Sequence, residues 1–378
     1  MIMCSFYLTP NQVLLDHVHQ IKKAKKADKH EKKRLRRRIL KSSIIRNNST
    51  TAELPASIPF INKCGSTFDV TSYGAKGDGN TDDLEAFIHA WADVCGDSSP
   101  DPTLIIPPSK TFLVSPVAFN GPCKSSTLHI QALHFNACNG LRLRGTRHIN
   151  SPKLHISIIG CKDVDLGNLQ IMAPGNSPNT DGINIGGSSH VNIHDSNIQT
   201  GDDCVAINGG IMDLNVSGVL CGPGHGISIG SLGENGRHDT VEQVRVEHCN
   251  ITGTTNGLRI KTVPNGTGYA RDITFQDIFL QNVRNPILID QHYCSSSAEF
   301  ADCSAPPSAP AVQVSNVRYM NIHGSSATKK AINFNCSGRF KCTGIVTNNV
   351  KITGDSDFAF CNNTVGNFID TIPIVTCD

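Results

Sequence analysis

The chain has 378 residues, and its 34 Lys and Arg against 32 Asp and Glu leave a formal charge of only +2. No run of about 20 apolar residues is present, which excludes a predicted membrane-spanning helix. Its 15 cysteines lack zinc-type spacing and therefore indicate disulfide bonds formed in an oxidising compartment.

Residues 1–60 differ in composition from the rest of the chain. Residues 22–46 hold 13 of the 34 Lys and Arg, and the chain up to residue 46 carries +10 whereas the remainder carries −8. Because no aromatic residues interleave this run, we expect a basic, disordered extension rather than a nucleic-acid-binding module. Weak attachment to an anionic polymer is the alternative. Residues 1–15 lack an apolar core and do not resemble a secretory signal.

The folded part is predicted to span residues 61–378 as a single domain. Residues 68–79 form a glycine-rich turn region, and residues 82–95 predict an amphipathic helix with Leu84, Phe87, Ile88 and Trp91 on its apolar stripe. An open stack of strands must have its end covered. We therefore expect this helix to be an N-terminal cap.

Short apolar cores recur along the rest of the chain. They are Ile156/Ile158, Ile183/Ile185, Val205/Ile207, Ile227/Ile229, Leu258/Ile260, Ile287/Ile289 and Ile332/Phe334. The intervals from Ile183 to Val205 and from Val205 to Ile227 are both 22 residues. Repeats of this size, with two or three short strands per turn and Gly or Asn at the bends, are typical of a solenoid. The predicted fold is all-β: a right-handed, single-stranded parallel β-helix.

Acidic and imidazole side chains precede three consecutive cores. Asp181, Asp203 and His225 each lie two positions before a core residue, and Asp202 adjoins Asp203. Strands on successive turns stack about 4.7–4.9 Å apart, so residues at one register become neighbours. Each element alone has a structural explanation, since Asp-Gly and Asp-Asp are common in turns. Stacked together, these like charges raise one another's pKa and mark a candidate functional site.

Two cations follow on the next turn. Arg259 and Lys261 alternate with the inward-facing Leu258 and Ile260 and are therefore expected to point outward. Three carboxylates, one imidazole and two cations should then share one outer patch.

Four sequences within this region resemble the signature motifs of the polygalacturonases, family 28 of the glycoside hydrolases. In chain order they are Asn179-Thr180-Asp181, Gly201-Asp202-Asp203, Gly224-His225-Gly226 and Arg259-Ile260-Lys261. The chain is similar to plant members from about Phe68 to its C-terminus. The resemblance implies hydrolysis of α-1,4 bonds between galacturonic acid residues in pectin, by an inverting mechanism without a metal or other cofactor. Endo and exo action are both left open.

The resemblance also implies a role for each catalytic residue. Asp202 is expected to be the general acid, with a pKa raised by the neighbouring carboxylates. Inverting glycosidases admit the attacking water between two carboxyl functions, and Asp181 and Asp203 are expected to hold that water. His225 would tune or share the proton of Asp202.

A second group is expected to bind the substrate. Arg259 and Lys261 would bind the uronate carboxylate by charge-assisted hydrogen bonds. Tyr293 and Asn179 would contact the sugar.

The same resemblance implies a secreted, monomeric protein of the cell wall or apoplast. Its expected partner is pectic polysaccharide, with no nucleic-acid or membrane partner. Asn-x-Ser/Thr sites favour secretion and glycosylation, and they are Asn47, Asn48, Asn215, Asn250, Asn265, Asn335 and Asn362. The expected disulfides are Cys204–Cys221, Cys294–Cys303, Cys336–Cys342 and Cys361–Cys377.

One departure from the family lies near residues 130–132. There the chain passes almost directly from residues 123–130 to residues 133–136, where related sequences carry two or more further solenoid turns. The shortening either leaves a shorter helix in register or breaks the stack beside the catalytic turns. Two other classes of function stay open: a Ca²⁺-dependent polysaccharide lyase of the same fold, and an inactive, truncated family member that at most binds pectin.

Overall fold

The computed structural model describes residues 4–7, 66–99, 102–107, 110–115, 118–119, 123–125, 129–130, 133–151, 153–294, 309–354 and 358–378. Within the N-terminal extension it describes only Cys4–Tyr7, which form a strand. The prediction for the rest of residues 1–60 lies outside the described residues.

Strands make up nearly all of the described secondary structure. The N-terminal strands are β1 (Cys4–Tyr7), β2 (Thr67–Asp69), β3 (Asp78–Asp82), β4 (Thr103–Ile105), β5 (Thr111–Val114), β6 (Ala118–Phe119), β7 (His129–Ile130), β8 (Leu133–Asn136), β9 (Arg142–Arg144) and β10 (Arg147–Ile149). The central strands are β11 (Ile156–Ile159), β12 (Lys162–Gly167), β13 (Gln170–Met172), β14 (Ile183–Gly186), β15 (Ser189–His194), β16 (Asn197–Gln199), β17 (Val205–Ile207), β18 (Ile211–Ser217), β19 (Leu220–Cys221), β20 (Ile227–Leu232), β21 (His238–Glu247) and β22 (Asn250–Thr252). The C-terminal strands are β23 (Asn256–Thr262), β24 (Thr267–Val283), β25 (Asn285–Asp290), β26 (Gln313–Ser326), β27 (Lys330–Asn335), β28 (Cys342–Thr353), β29 (Phe358–Asn362) and β30 (Thr364–Ile372).

Strands of successive turns pair in parallel and form three faces. Face 1 stacks β8, β11, β14, β17, β20, β23, β25, β27 and β29. Face 2 runs from β9 through β12, β15, β18 and β21, and face 3 from β7 through β10, β13, β16, β19 and β22. Faces 2 and 3 merge in the long strand β24. The predicted right-handed parallel β-helix is confirmed.

The predicted apolar cores form two continuous columns inside face 1. Ile156 pairs with Ile183, Ile183 with Val205 and Val205 with Ile227, and the column continues through Leu258. All of these side chains are fully buried. Burial of each contributes roughly 1.5–3 kcal/mol, so the columns stabilise the register that aligns the turns. This register sets the positions of the polar residues just before the strands.

A single α-helix is described, α1 (Leu84–Gly96), close to the predicted residues 82–95. It contacts β2, β4 and β5, and its Phe87 ring packs against Phe112 at 5.4 Å between centroids. The predicted apolar stripe is partly wrong, because Ile88 is 39% exposed whereas Ala90 and Val94 are buried. The helix covers the N-terminal strands, as expected for a cap. Among the described residues no helix has the length and apolar character to cross a membrane.

The turns on either side of residues 130–132 keep their register. In face 3, β7 pairs with both β4 and β10. In face 1, Leu133 and Phe135 of β8 pair with Ile156 and Ile158 of β11, which is next to the turns that carry the polar motifs. Strand β1 lies antiparallel between β5 and β8. The stack is therefore continuous from β8 onward, and the shortening near 130–132 stays a prediction.

Disulfides tie several turns together. The predicted pairs Cys204–Cys221, Cys336–Cys342 and Cys361–Cys377 are confirmed. A further pair, Cys95–Cys123, was not predicted, and the pair Cys294–Cys303 includes a residue outside the described ranges. Each short loop of this kind adds about 2–4 kcal/mol of stability. Cys204 directly follows Asp203, so its disulfide anchors a turn that carries polar motif residues.

Candidate active site

The polar motifs meet where three strands of face 1 begin. Asp181 precedes β14, Asp203 precedes β17 and His225 precedes β20. The turns are joined by backbone hydrogen bonds: Gly182 N–H donates to the carbonyl of Asp203 at 2.9 Å, and His225 N–H donates to the carbonyl of Asp202 at 2.8 Å. The predicted stacking of these residues is confirmed.

Glycines in the motifs allow this close approach. A Cβ atom at Gly201 would collide with the backbone of Ser177 on the preceding turn. Gly224 adopts a φ of +141°, and a Cβ there would collide with the carbonyl of Asp202. Glycine therefore permits the backbone contact that brings His225 onto Asp202.

Asp203 is the buried centre of an ionic network. Its side chain is 3% exposed, and Arg259 and Lys261 beside it are 9% and 11% exposed. Arg259 Nη2 donates to Asp203 Oδ1 at 2.8 Å, and Lys261 Nζ lies 3.4 Å from Oδ2. Ser228 Oγ donates to Asp203 Oδ1 at 2.7 Å and accepts from Arg259 Nε at 2.9 Å. Buried charges require such pairing, so this network holds the cations in place.

Asp202 and His225 form a separate pair that faces the solvent. Their side chains are 22% and 37% exposed, and His225 Nδ1 lies 2.8 Å from Asp202 Oδ1. Asp202 Oδ1 also accepts from the Asp203 N–H at 2.9 Å. The hydrogen bond to Asp202 raises the pKa of His225, and the charges of Asp202 and Asp203 add to that effect. Burial raises the pKa of Asp202, but the hydrogen bond and charge of His225 outweigh it and lower that pKa overall.

Asp181 titrates differently from Asp202. Burial, followed by the charges of Asp203 and Asp202, raises the pKa of Asp181 to about 6. Asn184 Nδ2 donates to Asp181 Oδ2 at 3.1 Å, and Asn208 Nδ2 in turn donates to Asn184 Oδ1 at 2.9 Å. The raised pKa expected for Asp202 is therefore wrong. The cations of the next turns and His225 stabilise the negative charge of Asp202, whereas Asp181 lies in the more buried position.

These residues line one polar cleft of about 670 Å³. Asn179 is exposed at its edge, in the left-handed backbone region with a φ of 57°. Tyr293 closes another part, with its ring centroid 5.2 Å from Lys261 Nζ in a cation–π contact. All eight predicted site residues thus lie in the cleft. Arg259 and Lys261 face it as predicted, but they are buried and paired with Asp203.

Sequence reasoning missed six polar residues of the cleft or its supporting network. They are Asn176, Asn184, Asn208, Ser228, Ser231 and Glu234. Asn184, Ala206, Ser228 and Arg259 occupy one column of face 1, between the buried core residues. The period-2 alternation that placed Arg259 outward places Asn184 and Ser228 outward too. Reading the residues between the cores would therefore have found these two.

Asp202, Asp203 and His225 also have the spacing of a metal site. One ligand atom from each lies within 4.8 Å of the others. However, Arg259 and Lys261 already neutralise Asp203, and their positive charges oppose a bound cation. His225 Nδ1 and Asp202 Oδ1 are directed at each other. The arrangement suits proton transfer better than metal binding, and the metal-free mechanism stays a prediction.

Paired carboxyl groups in a cleft are the groups with which glycoside hydrolases cleave glycosidic bonds, and the two cations beside them suit an acidic sugar. Residues 120–369 match the family model "Glycosyl hydrolases family 28". The chain belongs to this family.

Individual relatives agree with this membership. An Arabidopsis thaliana protein described as "Probable polygalacturonase" is 40% identical over 368 residues, which cover 82% of this chain and 80% of that protein. The polygalacturonase of Persea americana is 37% identical over 349 residues, which cover 76% and 74% of the two chains. The endo-xylogalacturonan hydrolase from Aspergillus tubingensis has a similar fold, with a TM-score of 0.54, 20% identity, and coverage of 83% of this chain and 99% of that one.

Proposed function

We propose that this protein hydrolyses α-1,4-linked galacturonan, the acidic backbone of pectin, with inversion at the anomeric carbon. The observation that carries the proposal is the cleft itself: Asp181, Asp202 and Asp203 stack on neighbouring turns of a family 28 β-helix, beside two cations. Inverting glycosidases use two carboxyl functions, one to protonate the leaving oxygen and one to activate water. The cleft supplies both, together with positive groups for the uronate.

Asp202 and His225 supply the proton to the leaving group. Asp202 is the more exposed of the two adjacent acids, and His225 Nδ1 lies 2.8 Å from its carboxylate. Because the pKa of His225 is raised, the pair retains a proton in weakly acidic solution. Substrate that excludes water from the cleft disfavours the separated charges and favours the neutral carboxylic acid on Asp202. In this form Asp202 is the general acid.

Asp181 activates the water. A general base works best when its pKa lies near the operating pH, and the pKa of Asp181 is raised to about 6. Asn184 holds one of its oxygens at 3.1 Å, which orients the carboxylate. Asp203 is a weaker candidate for the base, since Ser228 and Arg259 donate to one of its oxygens. We assign Asp203 to holding the cations and orienting the water that Asp181 deprotonates.

Arg259 and Lys261 bind the substrate carboxylate while remaining on Asp203. Arginine has five N–H donors, and the described contacts of Arg259 use those on Nε and one on Nη2. Lysine has three donors, and Lys261 makes one long contact to Asp203. Both residues line the cleft, where a uronate carboxylate can accept hydrogen bonds from their remaining donors. Tyr293 and Asn179 complete the sugar site.

Family membership and the disulfides support a place of action in the plant cell wall, outside the reducing cytosol. We expect the protein to act there as a monomer on homogalacturonan. The cell-wall polymer is polyanionic, which matches a site built around uronate-binding cations.

The test is release of reducing ends from polygalacturonate by the purified chain and by Asp202→Asn. The parent should release them, with activity unchanged by a chelator. Asp202→Asn should lose roughly 10²–10⁴-fold in rate and still bind oligogalacturonate, because the amide preserves size but removes the acid. Unsaturated products absorbing in the ultraviolet would indicate a lyase instead. No release of reducing ends from folded parent protein would refute the proposed function.

A further inference from the structure

An additional carboxylate faces the cleft from the loop that follows β20. Gly230, near the end of that strand, packs directly against the backbone of Lys261. The chain then passes Ser231 and enters a short 3₁₀ turn, Glu234–Gly236. Both Ser231 and Glu234 line the cleft, and the Glu234 side chain is 42% exposed. Glu234 belongs to none of the four sequence motifs.

The loop holds Glu234 in place through its backbone. Gly233 has a φ of +83°, and its N–H donates to Asp239 Oδ2 at 2.7 Å. Gly233 also packs against Gly266 of the next turn so closely that a Cβ on either residue would collide with the other. Gly236 N–H closes the turn on the carbonyl of Gly233 at 3.1 Å. Backbone hydrogen bonds and close packing therefore fix the turn that carries the Glu234 carboxylate.

Among the described residues, Arg237 is the one cation within 4 Å of the Glu234 carboxylate, and this ion pair is long and exposed. Arg237 Nη2 lies 3.7 Å from Glu234 Oε2, and Arg237 is 58% exposed. The same guanidinium also lies 3.9 Å from Asp239 through its Nε. Exposed pairs of this length interact weakly. One cation shared by two carboxylates leaves this loop with a net negative charge.

The charge balance of the whole cleft depends on this residue. The cations of the cleft are Arg259, Lys261 and, in weakly acidic solution, His225, whose pKa is raised. With Asp181 ionised, as its role as the base requires, four carboxylates face these cations in the cleft: Asp181, Asp202, Asp203 and Glu234. Removing the charge of Glu234 therefore makes the cleft less negative and more attractive to a polyanion.

We propose that Glu234 is a specificity-determining residue that disfavours a free uronate carboxylate at the sugar position it borders. The enzyme is thereby directed toward galacturonan that is methyl-esterified, and so uncharged, at that position. This inference rests on the proposed function and names the substrate class of the same site. The repulsion acts on the substrate before any bond is broken, so it mainly lowers kcat/KM for substrate that carries a free carboxylate at that position.

The experiment compares Glu234→Gln with the parent on two polymers of matched length, unesterified polygalacturonate and half-esterified pectin. The variant should raise kcat/KM on polygalacturonate roughly three- to ten-fold, the effect of one charge several ångströms away in a wet cleft. On the esterified polymer it should change much less. Glu85→Gln is the matched control, since Glu85 is exposed on α1 and outside the cleft. Its ratio of the two rates should equal that of the parent.

Salt and a second variant sharpen the test. Raising NaCl from about 0.05 M to 0.5 M should remove most of the Glu234→Gln effect, because the screening length falls to a few ångströms. Glu234→Lys should extend the change in the same direction. An unchanged preference between the polymers in both variants, with thermal unfolding like that of the parent, would overturn the inference. A parent inactive on both polymers would instead overturn the proposed function.

Discussion

Asp203 and Asp202 are adjacent acids, and replacing each with asparagine should have very different effects on stability. Asp203→Asn removes the only negative charge within 4 Å of both Arg259 and Lys261 among the described residues. Asp202→Asn removes a half-buried partner of His225. Both variants should lose hydrolytic activity. Only Asp203→Asn should also destabilise the fold strongly.

The magnitude follows from burial. Removing one partner of a buried ion pair costs about 3–5 kcal/mol, because an unpaired charge remains. In Asp203→Asn the new amide oxygen can still accept from Ser228 and Arg259, so we expect a cost of about 3 kcal/mol, at the lower end of that range. The new amide nitrogen would face Lys261 Nζ, which has no lone pair to accept a hydrogen bond. Asp202→Asn affects groups that are 22% and 37% exposed, and should cost about 1 kcal/mol or less.

Urea unfolding at pH 7, followed by near-ultraviolet circular dichroism, measures both values under oxidising conditions. The predicted difference between the variants is about 2 kcal/mol, and similar denaturant slopes would show that the comparison is valid. If Asp203→Asn proved as stable as Asp202→Asn, the buried ionic network could not be what holds Arg259 and Lys261. The assignment of Asp203 as their anchor would then be wrong.

Three further predictions concern Asp181, the pH profile and Lys261. The folded-state pKa of Asp181, about 6, exceeds its ordinary value of 3.8, so the stability it contributes is fully present below pH 3.8 and lost as pH rises through 6. Asp181→Asn should therefore raise the free energy of unfolding by roughly 3 kcal/mol at pH 8 and hardly change it at pH 3. Equal changes in the free energy of unfolding at pH 3 and pH 8 would contradict the raised pKa. With Asp181 as base, kcat/KM should rise through pH 6 and fall again as His225 loses its proton, whereas a fall through pH 6 would make Asp181 the acid. Lys261→Met should weaken the binding of trigalacturonate, measured by calorimetry at two pH values, by about 1.5–3 kcal/mol. The control Lys330→Met removes a comparable lysine–aromatic contact at 5.1 Å and should leave the affinity unchanged. A shifted pH profile with unchanged affinity in Lys261→Met would refute recognition of the substrate by Lys261.

The stacking of the site could be predicted from sequence because its signal is local and repeated. Pairs such as Ile183/Ile185 and Val205/Ile207 alternate with outward residues, and a misplaced register would turn every one of them to the solvent. The spacing between cores therefore determined which polar residues meet. Asp181, Asp203 and His225 were placed correctly on this basis alone.

The ionic pairing within the site could not be predicted in the same way. Whether Lys261 contacts a substrate or Asp203 depends on differences of a few ångströms in the position of its side chain. The spacing of residues along the sequence does not determine those positions. The pKa shifts depend on the same detail: Asp202 and Asp181 both lie near other acids, but only Asp202 has His225 at 2.8 Å. The predicted apolar stripe of α1 was wrong at Ile88 for a related reason. Which residues of α1 are buried depends on the positions of the strands that the helix covers.

Two carboxyl functions of this cleft are proposed to hydrolyse galacturonan with inversion. Proton NMR of a short oligogalacturonate during the first minutes of reaction tests this proposal most directly, because it reports the configuration of the new reducing end before mutarotation. Inversion predicts that the β-anomer forms first from the α-linked substrate. The α-anomer forming first, or an unsaturated end in its place, would contradict inverting hydrolysis.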